Sequence, residues 1–293
     1  MSTTTTTQKK VLGTYGPGST HWVGDGFPVR NLFPSNGIQL EVSPFLMLDY
    51  AGPQYFKPAS QPRGVGEHPH RGFETVTIAY QGSVGHRDSA GNSGVIYPGD
   101  VQWMTAASGV LHEEMHEAEF TKNGGIFEMI QLWVNLPAAN KMSKPGYQAI
   151  TKEQIPTVSF PTEGNARVIA GSLNGSQGPA RTFTPLNVWD VNLKAGEQVE
   201  LPVPAGHNTA VILRKGDVEV NETGKLSGEA RIAVLDREGD TVTLKAAADS
   251  NLLLLSGEPI NEPIASYGPF VMNTREEIAQ AVDDFRSGRF GQL

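Results

Sequence analysis

The chain has 293 residues, 33 of them glycine and 20 proline, with no cysteine and a net charge of −8. The missing thiols exclude a disulfide framework, thiolate metal sites, iron–sulfur clusters and a cysteine nucleophile. The acidic balance argues against direct binding of nucleic acid, which needs clustered Lys and Arg, and the Gly/Pro content with few long helical patterns favours an all-β chain of more than one body.

Residues 1–10 are polar and Thr-rich; they lack the apolar core of a signal peptide and read as a disordered tail. Over residues 11–136, strands are expected near 39–48, 74–81, 94–96, 101–104 and 127–134, separated by turn chemistry such as Pro98-Gly99-Asp100. Residues 137–161 carry Pro145, Pro156 and Pro161 and read as a linker. A second β-rich body follows over 162–265, with strands expected near 189–193, 210–213, 217–220, 231–235 and 252–255. The segment 266–293 holds a helix: Thr274 and Glu277 form a capping-box signature, and Ile278, Ala281, Val282 and Phe285 recur at helical spacing. The longest aliphatic run, Leu252 to Leu255, is far too short to span a membrane, so a soluble cytoplasmic protein is expected.

The chemistry concentrates in two short motifs. His68-Pro69-His70 places two imidazoles on one side of an extended segment, because Pro69 fixes its own φ and favours an extended residue before it. In His112-Glu113-Glu114 the same parity aligns His112 with Glu114 and turns Glu113 away. Three imidazoles and a carboxylate suit one divalent ion, Fe(II), Mn, Co, Ni, Cu or Zn, and leave coordination positions open for chemistry. The competing reading is that these side chains satisfy backbone groups in a polar barrel mouth.

Other residues stand around this core. Glu74 competes with Glu114 for the carboxylate role, since Arg71-Gly72-Phe73 can bend the strand and parity alone does not decide. His116 shares the parity of His112 but reads as a rim or surface histidine, His86 beside Arg87 and Asp88 as a turn or salt-bridge element, and His21 and His207 as structural. Trp103, Met104, Phe127, Met129 and Gln131 are candidates for an apolar pocket above a metal, with plain core as the alternative. Gly13 to Gly18 lacks the Lys-Ser/Thr of a phosphate loop, and there is no Gly-X-Ser-X-Gly elbow.

Taken together, the stretch from His68 to Val76, the segment from Pro98 to Ala106, Gly109 to Met115, Gly268 to Glu277 and the N-terminal Gly24-Asp25-Gly26-Phe27 resemble the pirin family of the cupin superfamily, over nearly the whole chain. The resemblance implies a bicupin: two antiparallel jelly-roll barrels with a short C-terminal helix and the metal in the first barrel only. It implies His68, His70, His112 and Glu114 as ligands, preferring Glu114 to Glu74, and Fe(II) as the first expectation for the metal. Two departures from the wider cupin pattern are a displaced glycine before His68 and Ala107 where many cupins carry proline. The activity implied is that of quercetin 2,3-dioxygenases, which open the heterocyclic ring of a flavonol with O₂ and release carbon monoxide, with Glu114 as general base as well as ligand. The alternative implied is an iron-dependent co-regulator acting through a protein partner.

Overall fold

The structure, a computed structural model, describes residues 6–293. The chain forms two compact units, each drawn from separate stretches of sequence. The motif-bearing unit comprises Ser19–Asn31, Phe45–Lys152 and Ile260–Leu293; the companion unit comprises the segment ending at Gly18, Leu32–Pro44 and Glu153–Pro259.

In the motif-bearing unit two antiparallel sheets form a jelly roll. The larger runs in the order Gly146–Ile150, Val101–Thr105, Phe73–Gln81, Gly125–Asn135, Phe45–Phe56, Phe27–Phe33, Thr20–Val23. The smaller runs Gly64–His70, Val110–His116, Val84–Asp88, Ser93–Ile96 and carries both histidine motifs. Phe73–Gln81 is buried on both faces along most of its length, so Glu74, Thr75 and Thr77 are enclosed together with its apolar side chains. One end of the interior is closed by an apolar cluster that includes Phe27, Phe56, Ala79, Phe127 and Met129.

The companion unit is built on an eight-stranded antiparallel sheet in which Asn208–Val220, Gly224–Leu235 and Thr241–Gly257 are the long central strands. Its core is filled by apolar side chains such as Trp189, Leu213, Leu235, Leu244 and Leu254. Val11–Tyr15 pairs with Gly224–Leu235, so this stretch belongs to the companion unit and not to the body expected over 11–136. Of the expected tail, residues 1–5 lie outside the described residues, whereas Lys9 is only 1% exposed and donates from Nζ to the carbonyls of His207, Asp236 and Arg237. Those three acceptors order the polar segment that composition alone read as a tail.

Two further expectations change. The strand expected near 39–48 begins only at Phe45; upstream, the carbonyls of Leu40 and Ser43 accept from Asn208 Nδ2 instead of a neighbouring strand. The stretch 137–161 is not a free linker, because Gly146–Ile150 pairs with Val101–Thr105 and Thr157–Ser159 pairs with Asn165–Ala170. Within it Lys141 is 1% exposed and donates to Gly72 O, Asn135 Oδ1 and Val271 O; burial pulls its pKa down to about 8.

The helix Arg275–Arg286 starts at the expected capping box, with Thr274 and Glu277 bonding reciprocally. Ala281 is fully buried and packs with Leu111, Phe270 and Phe290, while Phe285 remains 38% exposed at the edge of the stripe. Asp284 anchors the helix through Arg71 at 2.8 Å, and the Arg71 guanidinium also lies 4.7 Å from the Phe290 ring. Asp284→Ala should therefore lower the urea-unfolding free energy by about 3–5 kcal/mol, because a buried guanidinium loses its counter-charge. A loss below about 1 kcal/mol, the value of a surface pair, would show that the pair is not structural. No helix among the described residues is long and apolar enough to cross a membrane.

Candidate metal centre

Adjacent strands bring the two motifs together in register. His112 pairs with His68 and Val110 with His70, so His68, His70 and His112 converge on the same interior. Gly64 permits this approach: a Cβ there would fall 2.2 Å from Glu114 O. The three rings stand 4.2–4.9 Å apart between centroids, and one nitrogen from each lies within 4.8 Å of the others. Two metal–nitrogen bonds of about 2.0–2.1 Å meeting at tetrahedral or right angles hold their nitrogens roughly 3 Å apart, so the three rings would draw together on an ion.

The nitrogens are suited to donate electron pairs. His68 Nδ1 lies 2.8 Å from Gly66 O; as donor to that carbonyl it leaves the Nε2 lone pair unspent. His70 Nδ1 and His112 Nε2 are buried with no hydrogen-bond partner, an arrangement that costs free energy unless something occupies them. Burial, reinforced by the neighbouring imidazoles, holds the pKa of both His70 and His112 well below the usual histidine value, so both rings are neutral at pH 7. Neutral imidazoles with free lone pairs are what a borderline divalent cation requires.

Glu114 is 5% exposed and faces the same interior, although it is not one of the tight group of three. A bulge sets it opposite Val65, which is why Val65 and His68, three residues apart, both line the cavity. Gln102 Nε2 donates to Glu114 Oε1 at 3.0 Å, and the Thr77 hydroxyl lies 3.0 Å from the same oxygen and 2.8 Å from Gln131 Oε1. With one proton to give, Thr77 serves the carboxylate first. Tyr147 donates to Gln102 Oε1 at 3.2 Å; burial, with the Glu114 and Asp88 charges, pushes its pKa up to about 12 and keeps it a donor.

Beside the histidines opens a cavity of about 320 Å³. Met47, Met129 and Trp133 provide flat apolar wall, and Asp49 and Gln131 are its polar points away from the motifs. Asp49 accepts from Asn31 Nδ2 at 2.7 Å; burial raises its carboxyl pKa against the opposing effect of that bond.

The Pirin family model matches residues 26–134 and that of the Pirin C-terminal cupin domain matches 188–291. The chain belongs to the pirin family. Among curated relatives, "Putative quercetin 2,3-dioxygenase" of Pseudomonas aeruginosa is 57% identical, covering 96% of this chain and 98% of that protein. Pirin of Homo sapiens is 39% identical, covering 85% and 83%. The crystal structure of a quercetin 2,3-dioxygenase from Acinetobacter baumannii superposes with a TM-score of 0.94 at 53% identity, covering 98% and 99% of the two chains. In this pirin-family chain Ala107, which stands where many cupins have proline, adopts a φ of 42°, a value the proline ring forbids.

The remaining sequence candidates sort by face. Met129 and Gln131 line the cavity. Phe127 lies in the apolar cluster that closes one end, and Trp103, fully buried, pairs with Val76 on the face opposite Gln102 and Met104; neither lines the cavity. His116 is no surface residue: it is 3% exposed, packs against Phe27, Phe56, Phe120 and Phe127, and its Nε2 bonds Gly26 O at 2.9 Å. His207, in the companion unit, bonds Ser256 Oγ through Nδ1 at 3.1 Å, and His21 is exposed. Sequence reading missed Trp133, which shares the parity of Gln131, and Met47 and Asp49 on the neighbouring strand.

Glu74 also falls on the face opposite Thr75 and Thr77, where its Oε1 accepts from Thr105 Oγ1 at 2.7 Å. Only 1% exposed, it has its pKa raised by burial to about 7. A raised carboxyl contributes stability that is complete below its unfolded value near 4.5 and is lost as pH rises through 7. Glu74→Gln should therefore unfold with a free energy that falls less between pH 5 and pH 8, by roughly 2–3 kcal/mol. Parallel pH profiles for the two proteins in urea would contradict the assignment.

Proposed function

We propose that the chain is a metal-dependent dioxygenase that opens the heterocyclic ring of a flavonol such as quercetin with O₂ and releases carbon monoxide. The observation that carries this reading is the meeting of three imidazoles, two of them with buried, unpartnered nitrogens, beside a cavity that also receives a carboxylate held by one oxygen. The names of the Pseudomonas and Acinetobacter relatives support it. His68, His70 and His112 would hold one divalent ion, Fe(II) before Mn, Co, Ni, Cu or Zn, and Glu114 would complete the set. When bound, the ion supplies Lewis-acid and redox capacity at an open coordination position.

The side chains have separate tasks. Gln102 and Thr77 fix Glu114 Oε1, leaving Oε2 to take the proton of the flavonol 3-hydroxyl. Met47, Met129 and Trp133 receive the flat aromatic body, and Asp49 meets a ring hydroxyl. The mostly apolar wall also keeps bulk water from the reacting carbon. Protein loaded with each metal in turn should consume O₂ when quercetin is added, at a rate saturating in quercetin. Absence of turnover with all six metals would overturn the flavonol assignment.

A further inference from the structure

Behind His112, on the side away from His68 and His70, the strand Val84–Asp88 presents a second buried pair. His86 Nδ1 lies 3.5 Å from His112 Nδ1, long for a hydrogen bond but in reach of one, and His86 Nε2 lies 3.2 Å from Asp88 Oδ2. The His86 and Asp88 side chains are 0% and 1% exposed. Asp88 is itself immobilised: its Oδ1 accepts from the backbone of Ala90 and Asn92, and Asn92 Nδ2 reaches both oxygens. Tyr147 stacks on the His86 ring at 4.9 Å and 15°.

We propose that Asp88 and His86 are positioning residues that lock His112 in the tautomer whose Nε2 lone pair faces the metal position. Two facing Nδ1 atoms need one proton between them, and either ring can carry it. If His86 carried the shared proton on Nδ1, its Nε2 lone pair would oppose the Asp88 carboxylate. His112 would then hold its own proton on Nε2, aimed at His68 and His70. If His112 carries it instead, His86 must be protonated on Nε2 and donates to Asp88, and every contact is satisfied. Only the second arrangement leaves His112 Nε2, buried without a protein partner, with a lone pair that a metal ion can take. Burial acts to raise the Asp88 pKa, but bonds from His86 and Asn92 outweigh it and hold the carboxyl below its usual range. The carboxylate is therefore charged at pH 7 and enforces the choice.

The inference rests on the metal-site reading and not on any substrate. Co(II) affinity of the full chain, measured by chelator competition, should fall about 10–100-fold in His86→Leu, which offers no acceptor. His86→Asn keeps an oxygen near the Nδ1 position and should retain most of the affinity. A parent chain that does not bind Co(II) would defeat the metal site itself, whereas a parent that binds and a His86→Leu variant that binds equally would defeat only this proposal. Should His86→Leu fail to fold, ¹⁵N-detected imidazole spectra of the metal-free parent decide: the Nδ1–H tautomer at His112 supports the relay, and the Nε2–H tautomer overturns it.

Discussion

His112→Ala should bind metal about 10²–10³-fold more weakly than the parent and lose quercetin turnover at micromolar metal. The magnitude follows from dividing the roughly 10–16 kcal/mol of a four-ligand site among its donors, about 2.5–4 kcal/mol each. His112 is the ligand of choice for the test because it is fully buried and sits at the centre of the group, 4.2 and 4.8 Å from the His68 and His70 rings. Its removal also leaves His86 without its neighbour, so the urea midpoint should be recorded beside the metal content. A variant that folds and still carries a full equivalent of metal would remove His112 from the site.

Glu114→Gln separates proton transfer from metal binding. The three histidines remain, and the amide oxygen still accepts from Gln102 and Thr77; at saturating metal, which offsets the weaker binding of a neutral ligand, kcat should fall about 10²–10⁴-fold at neutral pH. Raising the pH should restore part of the rate, since flavonol already ionised in solution no longer needs the base. Parent-like kcat at pH 7 would show that Glu114 accepts no proton in the rate-limiting sequence, and loss of metal together with rate would make it a ligand first.

How far the sequence disclosed these roles depended on the range of the information required. His68, His70 and His112 follow from strand parity, a local rule, and the parity of Glu114 survives because the extra residue of the bulge lies on the neighbouring strand, between Val65 and His68. Glu74 was ambiguous because the chain reverses at Gly72, with φ of 90°, before a new strand begins at Phe73; four residues after His70, it faces the other way. Of the three pocket candidates on the strand Gly125–Asn135, Met129 and Gln131 line the cavity, whereas Phe127, of the same parity, lies in the apolar cluster. The pairing of Val11–Tyr15 with Gly224–Leu235 and the approach of His86 to His112 join residues distant in sequence or on separate strands. No periodicity encodes such contacts, so neither the division of the chain nor the relay could be read from it.

Product stoichiometry bears most directly on the central claim. Metal-loaded protein supplied with quercetin and ¹⁸O₂ should release one unlabelled CO for each O₂ consumed, with both labelled atoms retained in the ring-opened ester. Oxygen uptake without CO, or with hydrogen peroxide as the product, would contradict the assignment of these four residues to ring cleavage.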